Sequence, residues 1–209
     1  MLALILAGGL GSRLNMGEKP LVQVCGTPMI EYVIRAFSVG GHRVIVVGSP
    51  KTPFTRNWCR AHGIDLYPAS GRGYVEDIVE AVTEIGEDGP VCTSVSDIPC
   101  VDPGIVGRIM DAYLEAGTPA LSTWVPSTLC RGSALRCSYR ESIGGVPACP
   151  AGINILKGDL IEEEQAEHKL LLEEPALALN VNTPEDLALA ARILCPGAGG
   201  SAGGQGHRS

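Results

Sequence analysis

The feature that most constrains this chain is at its start. An unbroken apolar run, Leu2 to Ala7, gives way to Gly8-Gly9-Leu10-Gly11-Ser12-Arg13, and Lys19-Pro20 follows six residues after Arg13. The run is far shorter than the ~20 residues of a membrane span, and no basic segment precedes it as in a signal peptide. It therefore reads as a buried strand ending in a glycine-rich loop. Glycines let backbone N–H groups approach a phosphate closely and accept positive φ. Arg13 and Lys19 add cations to the same loop. The plain alternative is a tight turn carrying two solvated basic residues. Two familiar phosphate loops are excluded. No Gly-Lys-Ser/Thr closes a Walker A motif, and Leu14 stands where the dinucleotide fingerprint Gly-x-Gly-x-x-Gly needs its last glycine.

Apolar runs and amphipathic stretches alternate behind this loop. Strands are expected at 3–7, 42–48, 64–67, 91–96 and 119–125, with helices at 28–39, 52–62, 75–85 and 103–116. Such alternation predicts βαβ units, a parallel sheet, and a ligand crevice at the carboxyl ends of its strands. The second half is less regular. Short strands or loops are expected over 126–150, a strand at 152–156, a charged helix at 160–172, a last strand at 176–180 and a last helix at 184–194. Thr183 is the expected N-cap of that helix, with Pro184 at its first position. The chain of 209 residues fits one domain, 1–195. Residues 196–209, mostly Gly, Ala and Ser, form a tail with nothing to bury.

A formal charge of −7 with no Lys/Arg run argues against a nucleic-acid polymer as partner. No apolar stretch is long enough for a membrane span, and a cytoplasmic location is expected. The eight cysteines contain no Cys-x-x-Cys, and without a secretion signal they are expected to be reduced thiols. The usual zinc-ligand spacing is missing.

Further segments combine functional residue types. Asp97, in Val95-Ser96-Asp97-Ile98-Pro99, falls just after the fourth strand, where a carboxylate can hold Mg²⁺ against triphosphate oxygens. It could equally be a turn residue. Asn180-Val181-Asn182-Thr183-Pro184-Glu185-Asp186-Leu187 is a capped helix start. Ser70-Gly71-Arg72-Gly73-Tyr74-Val75-Glu76-Asp77 is a turn with acidic residues at a helix N-terminus. Pro147-Ala148-Cys149-Pro150-Ala151-Gly152-Ile153-Asn154 enters a strand. The four histidines, 42, 62, 168 and 207, fall on none of these motifs.

The Gly-Gly-x-Gly-x-Arg loop with its Lys-Pro resembles the signature of nucleotidyltransferases of the sugar-nucleotide pyrophosphorylase superfamily. The other motifs, with Cys25-Gly26 and Ile30-Glu31-Tyr32-Val33, narrow the resemblance to the stand-alone, archaeal-type adenosylcobinamide-phosphate guanylyltransferases over roughly residues 1–195. The resemblance implies a Rossmann-like α/β nucleotidyltransferase fold, a mostly parallel mixed sheet flanked by helices. It implies transfer of GMP from GTP to adenosylcobinamide phosphate with release of pyrophosphate, and Mg²⁺ as cofactor. Leu6, Ala7, Gly8, Gly9, Gly11, Ser12, Arg13 and Lys19 would bind the nucleotide, and backbone groups of Ser70 and Gly71 its base. Asp97 would hold the metal with Asn182, Asn180 being the second choice for that ligand. Gly152 and Asn154 would face the second substrate.

The nucleophile in such a reaction is a phosphate monoester with a second pKa near ~6, so no general base is required. Catalysis then rests on positioning and charge, with Arg13 on the β/γ-phosphates, Lys19 on the α-phosphate and the incoming phosphate, and Asp97 on the metal. Of the two tryptophans, either of which could instead be core, Trp124 at a strand end is the expected corrinoid contact ahead of Trp58. A twofold homodimer is the default assembly. The competing activities are molybdenum-cofactor guanylyltransferase and sugar-1-phosphate nucleotidyltransferase. A catalytically dead nucleotide-binding regulator is the non-enzymatic alternative, and the retained Arg13, Lys19 and Asp97 argue against it.

Overall fold

A computed structural model describes residues 1–9, 14, 16–130 and 139–196. Gly11, Ser12, Arg13, Cys137, His207 and the tail beyond Pro196 lie outside them. The strands are β1 (Leu2–Leu6), β2 (Gln23–Val24), β3 (Thr27–Pro28), β4 (Arg43–Gly48), β5 (Leu66–Pro68), β6 (Pro90–Val95), β7 (Ala120–Pro126), β8 (Glu141–Ile143), β9 (Val146–Lys157) and β10 (Glu167–Leu171). The helices are α1 (Met29–Val39), α2 (Pro53–Ala61), α3 (Tyr74–Ile85), α4 (Pro103–Ala116) and α5 (Pro184–Leu194), with short 3-10 turns at Lys19–Leu21 and Gly158–Leu160.

The main sheet runs β10-β7-β9-β6-β1-β4-β5, with β8 paired to β9. β1 is parallel to β4 and β6, β4 to β5, and β7 to β10, while β9 is antiparallel to β6 and β7. The chain leaves β1 towards β4 and β5 and then returns to β6 on the other side. The carboxyl ends of β1 and β6 therefore flank a topological switch point, where open α/β sheets bind ligands.

β1 is buried on both faces, which explains its unbroken apolar sequence. Ala3 and Ile5 pack with Ile30, Val33 and Phe37 of α1 and Ile105 and Ile109 of α4. Leu2 and Leu4 pack with Ile78, Ala81 and Val82 of α3. Local signals define the ends of α4: Asp102 Oδ1 accepts from Ile105 N–H at 2.9 Å, Pro103 opens the helix and Gly117 closes it at φ +62°.

Three expectations fail. No helix forms over 160–172. Glu167–Leu171 is instead an edge strand beside β7, with Leu171 opposite Trp124. Its charged composition suits an edge, where polar groups face water and Lys169 pairs with Glu141. No strand forms over 176–180. Leu177, Leu179 and Val181 are buried and mimic strand alternation, but they pack against two different clusters without entering a ladder. The cysteines are not all thiols, because Cys25 and Cys195 form a disulfide. They are 170 residues apart, and α5 brings its end back to the β2–β3 turn, a proximity that spacing does not reveal. Cys59, Cys92, Cys100 and Cys130 are free thiols. Among the described residues, no helix is long and apolar enough to cross a membrane.

Candidate active site

The glycine loop is anchored at both ends to the start of α2. Ala7 N–H donates to Val47 O at 2.9 Å, extending the β1–β4 pairing, and the buried Thr52 hydroxyl donates to Ala7 O at 2.9 Å. Gly8 lies over Ser49, whose Oγ would stand 3.4 Å from an added Cβ. At the other end, the Glu18 carboxylate accepts from Phe54 N–H at 2.8 Å, Thr55 N–H at 2.6 Å and the Thr55 hydroxyl at 2.6 Å. The side chain of Thr52 does not cap its own helix. Glu18 supplies that cap from another segment, with its charge at the positive end of the helix dipole. Lys19 follows directly.

Lys19 reaches across the crevice. Its Nζ pairs with Asp97 Oδ2, donates to Asn182 Oδ1 at 2.8 Å and lies 3.4 Å from Asn180 Oδ1. The Lys19 and Asp97 side chains are only 12% and 15% exposed. Asp97 stands just past β6. The Asn180–Asn182 segment is held against it by Val181 N–H, which donates to Asp97 O at 2.9 Å. Asn182 N–H and Thr183 N–H both donate to Asp186 Oδ2 at 3.0 Å, and Thr183 with Asp186 forms a capping box on α5. The helix cap thus fixes the loop that carries the two amides.

Asp97 Oδ1 is buried without a hydrogen-bond partner among the described residues. With the amide oxygens it makes an all-oxygen donor set, which suits a hard divalent cation such as Mg²⁺. Asn182 turns its Nδ2 towards Asn180 Oδ1 at 2.7 Å and its oxygen towards Lys19, so of the two amide oxygens Asn180's is already engaged within the pair and Asn182's could serve a cation.

Beside this cluster lies a cavity of about 360 Å³. Leu6, Val47 and Val95 are among its apolar lining residues. Gly8, Gly9, Lys19 and Asp97 also line it, as do Gly71, Tyr74 and Asp77. The structure therefore brings together the described part of the glycine loop, Lys19, Asp97 and Gly71. The loop after β5 is held by hydrogen bonds to α3. Ser70 N–H donates to Glu80 Oε1 at 2.9 Å, and Gly71 and Arg72 N–H donate to Asp77 Oδ1 at 3.0 and 3.1 Å. The Ser70 and Gly71 N–H groups are therefore already engaged, while no carbonyl of these two residues is an acceptor in those bonds.

Gly152 and Asn154 are not among the lining residues and reach the cavity through neighbours. Gly152 has φ +81°, and an added Cβ would stand 2.7 Å from Cγ2 of the cavity residue Val95. Its glycine is thus required by packing within the chain. Asn154 lies opposite Thr93 in the β6–β9 register, and the Tyr74 hydroxyl comes near both. Tyr74 is 44% exposed as a residue, yet its hydroxyl is sheltered. Burial pushes this hydroxyl's pKa up, the polar groups of Thr93 and Asn154 pull it down, and nearby Cys92 and Asp97 add to the rise.

Tyr74 and Asp77 belong to the 70–77 motif but carried no role of their own in the sequence, and Glu18 was not singled out at all. An aromatic at a helix start carries no chemical signature, and a cap donated from 36 residues away is invisible locally. No histidine lines the cavity among the described residues: His42 packs near Phe37, His62 stacks on Trp58 and His168 lies on β10. Trp124 is not a surface for a second substrate. It is 5% exposed, its Nε1–H donates to Ser122 Oγ at 2.7 Å, and Tyr139 and Lys169 lie against its ring.

Comparison with known proteins agrees with this geometry. Residues 3–150 match the MobA-like NTP transferase domain. The chain is 31% identical to the adenosylcobinamide-phosphate guanylyltransferase of Methanocaldococcus jannaschii, covering 92% of this chain and 96% of that protein. It is 26% identical to the molybdenum cofactor guanylyltransferase of Shewanella amazonensis, again over 92% and 96%. The crystal structure of HddC from Yersinia pseudotuberculosis superposes with a TM-score of 0.69 at 16% identity, covering 92% of this chain and 99% of that one, which shows a shared fold.

Proposed function

This chain belongs to the MobA-like NTP transferase family and is a nucleotidyltransferase, and we propose that it moves GMP from GTP to adenosylcobinamide phosphate with release of pyrophosphate. The observation that carries the chemistry is the convergence of Lys19, Asp97 and Asn182 beside the cavity at the switch point. The acceptor is proposed from the similarity to the Methanocaldococcus jannaschii enzyme, which extends over nearly the whole of both chains.

The acceptor phosphate is largely dianionic near neutral pH, so the reaction needs no general base. The difficulty is to bring two anions together. Backbone N–H groups of Gly8 and Gly9 would face the triphosphate. Lys19 would bridge the α-phosphate and the incoming phosphate, offsetting their repulsion in a partly dehydrated crevice. Arg13, which lies outside the described residues, would reach the β- and γ-phosphates. Asp97 and Asn182 would hold Mg²⁺, which when bound supplies positive charge for the triphosphate oxygens. Carbonyls after β5 would accept from the donor edge of guanine. Val95 and Tyr74 form the boundary between the nucleotide cavity and the strand carrying Gly152 and Asn154, where the acceptor would approach.

Calorimetric titration with GTP, ATP and UTP in Mg²⁺ tests the nucleotide assignment, with Asp97→Ala as control. Tight GTP binding, weak binding of the others and loss in the variant are expected. Equal binding of all three would sink guanylyl transfer and leave another nucleotidyl donor.

A further inference from the structure

The Lys19 ammonium is held by the same side-chain oxygens that suit a divalent cation. Asp97 Oδ2, Asn182 Oδ1 and Asn180 Oδ1 converge on its Nζ, and both members of the ion pair are nearly buried. Asp97 Oδ2 and the two amide oxygens already point at the ammonium, so a cation beside Lys19 would be left with Asp97 Oδ1 alone. The two positive charges would repel at close range in a poorly screened crevice, and the same carboxylate would have to serve both. We propose that Lys19 and the divalent cation are alternative occupants of this cradle, and that metal entry requires Lys19 to move onto a phosphate. The inference rests on the reading that Asp97 and Asn182 are the cation's ligands.

The consequence is a coupling between metal and nucleotide. A metal ion alone must displace a hydrogen-bonded ammonium. A metal arriving with a triphosphate brings a new partner for that ammonium, so each ligand strengthens the other. The cavity geometry allows the exchange, because Lys19 lines the cavity together with Gly8 and Gly9 of the phosphate loop. A short swing of a flexible side chain carries Nζ from one partner to the other. Lys51 lines the same cavity, while the described hydrogen bonds to the three oxygens come from Lys19, which makes Lys51 a control for charge without competition.

The test is Mn²⁺ binding by the full chain, read from the electron paramagnetic resonance of free Mn²⁺, with and without GTP. Without nucleotide, Lys19→Met is expected to bind Mn²⁺ about tenfold or more tightly than wild type, the scale of one charge-assisted hydrogen bond. Lys51→Met should change binding by about twofold at most, because exposed charge is screened. GTP should strengthen Mn²⁺ binding more in wild type than in Lys19→Met. Unchanged or weaker binding in Lys19→Met overturns the competition, and so does equal tightening in Lys51→Met. Lys19→Met,Asp97→Asn separates the underlying assignment: if it binds Mn²⁺ as well as Lys19→Met does, Asp97 is not a ligand. Since Lys19→Met leaves a buried carboxylate without its cation, thermal midpoints are read alongside. Mn²⁺ should raise the midpoint of Lys19→Met more than that of wild type, and failure to do so counts against the proposal.

Discussion

Glu18 is the residue whose removal best tests how this site is built. Its carboxylate takes three donors at the start of α2, two of them from Thr55, which is fully buried. Glu18→Ala strips the helix of its cap and leaves the Thr55 N–H and hydroxyl without their acceptor. Loss of a cap costs ~0.5–2 kcal/mol, and a hydrogen bond to a charged group is worth ~1.5–3 kcal/mol net. These overlap, and Phe54 N–H is exposed enough to regain water, so the expected cost is about 2 kcal/mol. In a chain of this size that lowers the melting temperature by roughly 4–8 °C. Lys19 is the next residue, so the variant should also lose turnover at saturating substrate by about tenfold, because a misplaced phosphate ligand costs transition-state stabilisation. Glu18→Gln keeps one oxygen and should fall between the two. The assays are thermal unfolding and steady-state pyrophosphate release. A Glu18→Ala protein that melts within about 1 °C of wild type with unchanged turnover would refute the anchoring argument.

Asp97→Asn removes the anionic member of the oxygen cradle and should lower kcat by ~10²-fold or more in the same release assay, with the fold retained by circular dichroism. Gly152→Ala forces a left-handed φ on alanine and drives its methyl into Val95; the two effects together should cost about 3 kcal/mol, read as a fall in denaturant midpoint at unchanged slope. Glu80 is held below the ordinary carboxylate pKa first by the Ser70 hydroxyl, then by Ser70 N–H, Arg72 and Tyr67. A depressed carboxyl stabilises fully above its unfolded value and loses that contribution as pH falls through the folded one, so Glu80→Gln should flatten the acid side of a melting-temperature profile. Cys195→Ser opens a cross-link between residues 170 apart and should lower the melting temperature by several degrees in thermal unfolding without reductant.

The parallel half of the fold was legible because its strands are buried on both faces and read as apolar runs between helical patterns. Leu2–Leu6, Pro90–Val95 and Pro103–Ala116 lie within a residue or two of their expected bounds. The two secondary-structure failures lie where local pattern and tertiary role diverge. Glu167-His168-Lys169 looks helical, but an edge strand tolerates charge; Leu177, Leu179 and Val181 alternate like a strand, yet Leu177 packs in one cluster and Leu179 and Val181 in another. Asp97, Lys19 and Asn182 were each recognisable as functional types. Their mutual contact was not, since 78 and 163 residues separate Lys19 from its two partners. The Tyr74 hydroxyl, the Glu18 cap and the Cys25–Cys195 bond depend in the same way on what the fold brings together. Trp124 was misread because an aromatic at a strand end gives no sign of which side chains will cover it.

The central claim is nucleotidyl transfer to a phosphate acceptor, and the most direct measurement is product formation. The protein is incubated with Mg²⁺, α-labelled GTP and adenosylcobinamide phosphate, and pyrophosphate and labelled corrinoid are counted together. The account predicts one pyrophosphate for each GMP joined to the corrinoid, with little product from ATP or UTP and none from unphosphorylated cobinamide. Release of orthophosphate, or pyrophosphate formation that does not depend on the corrinoid phosphate, would contradict it.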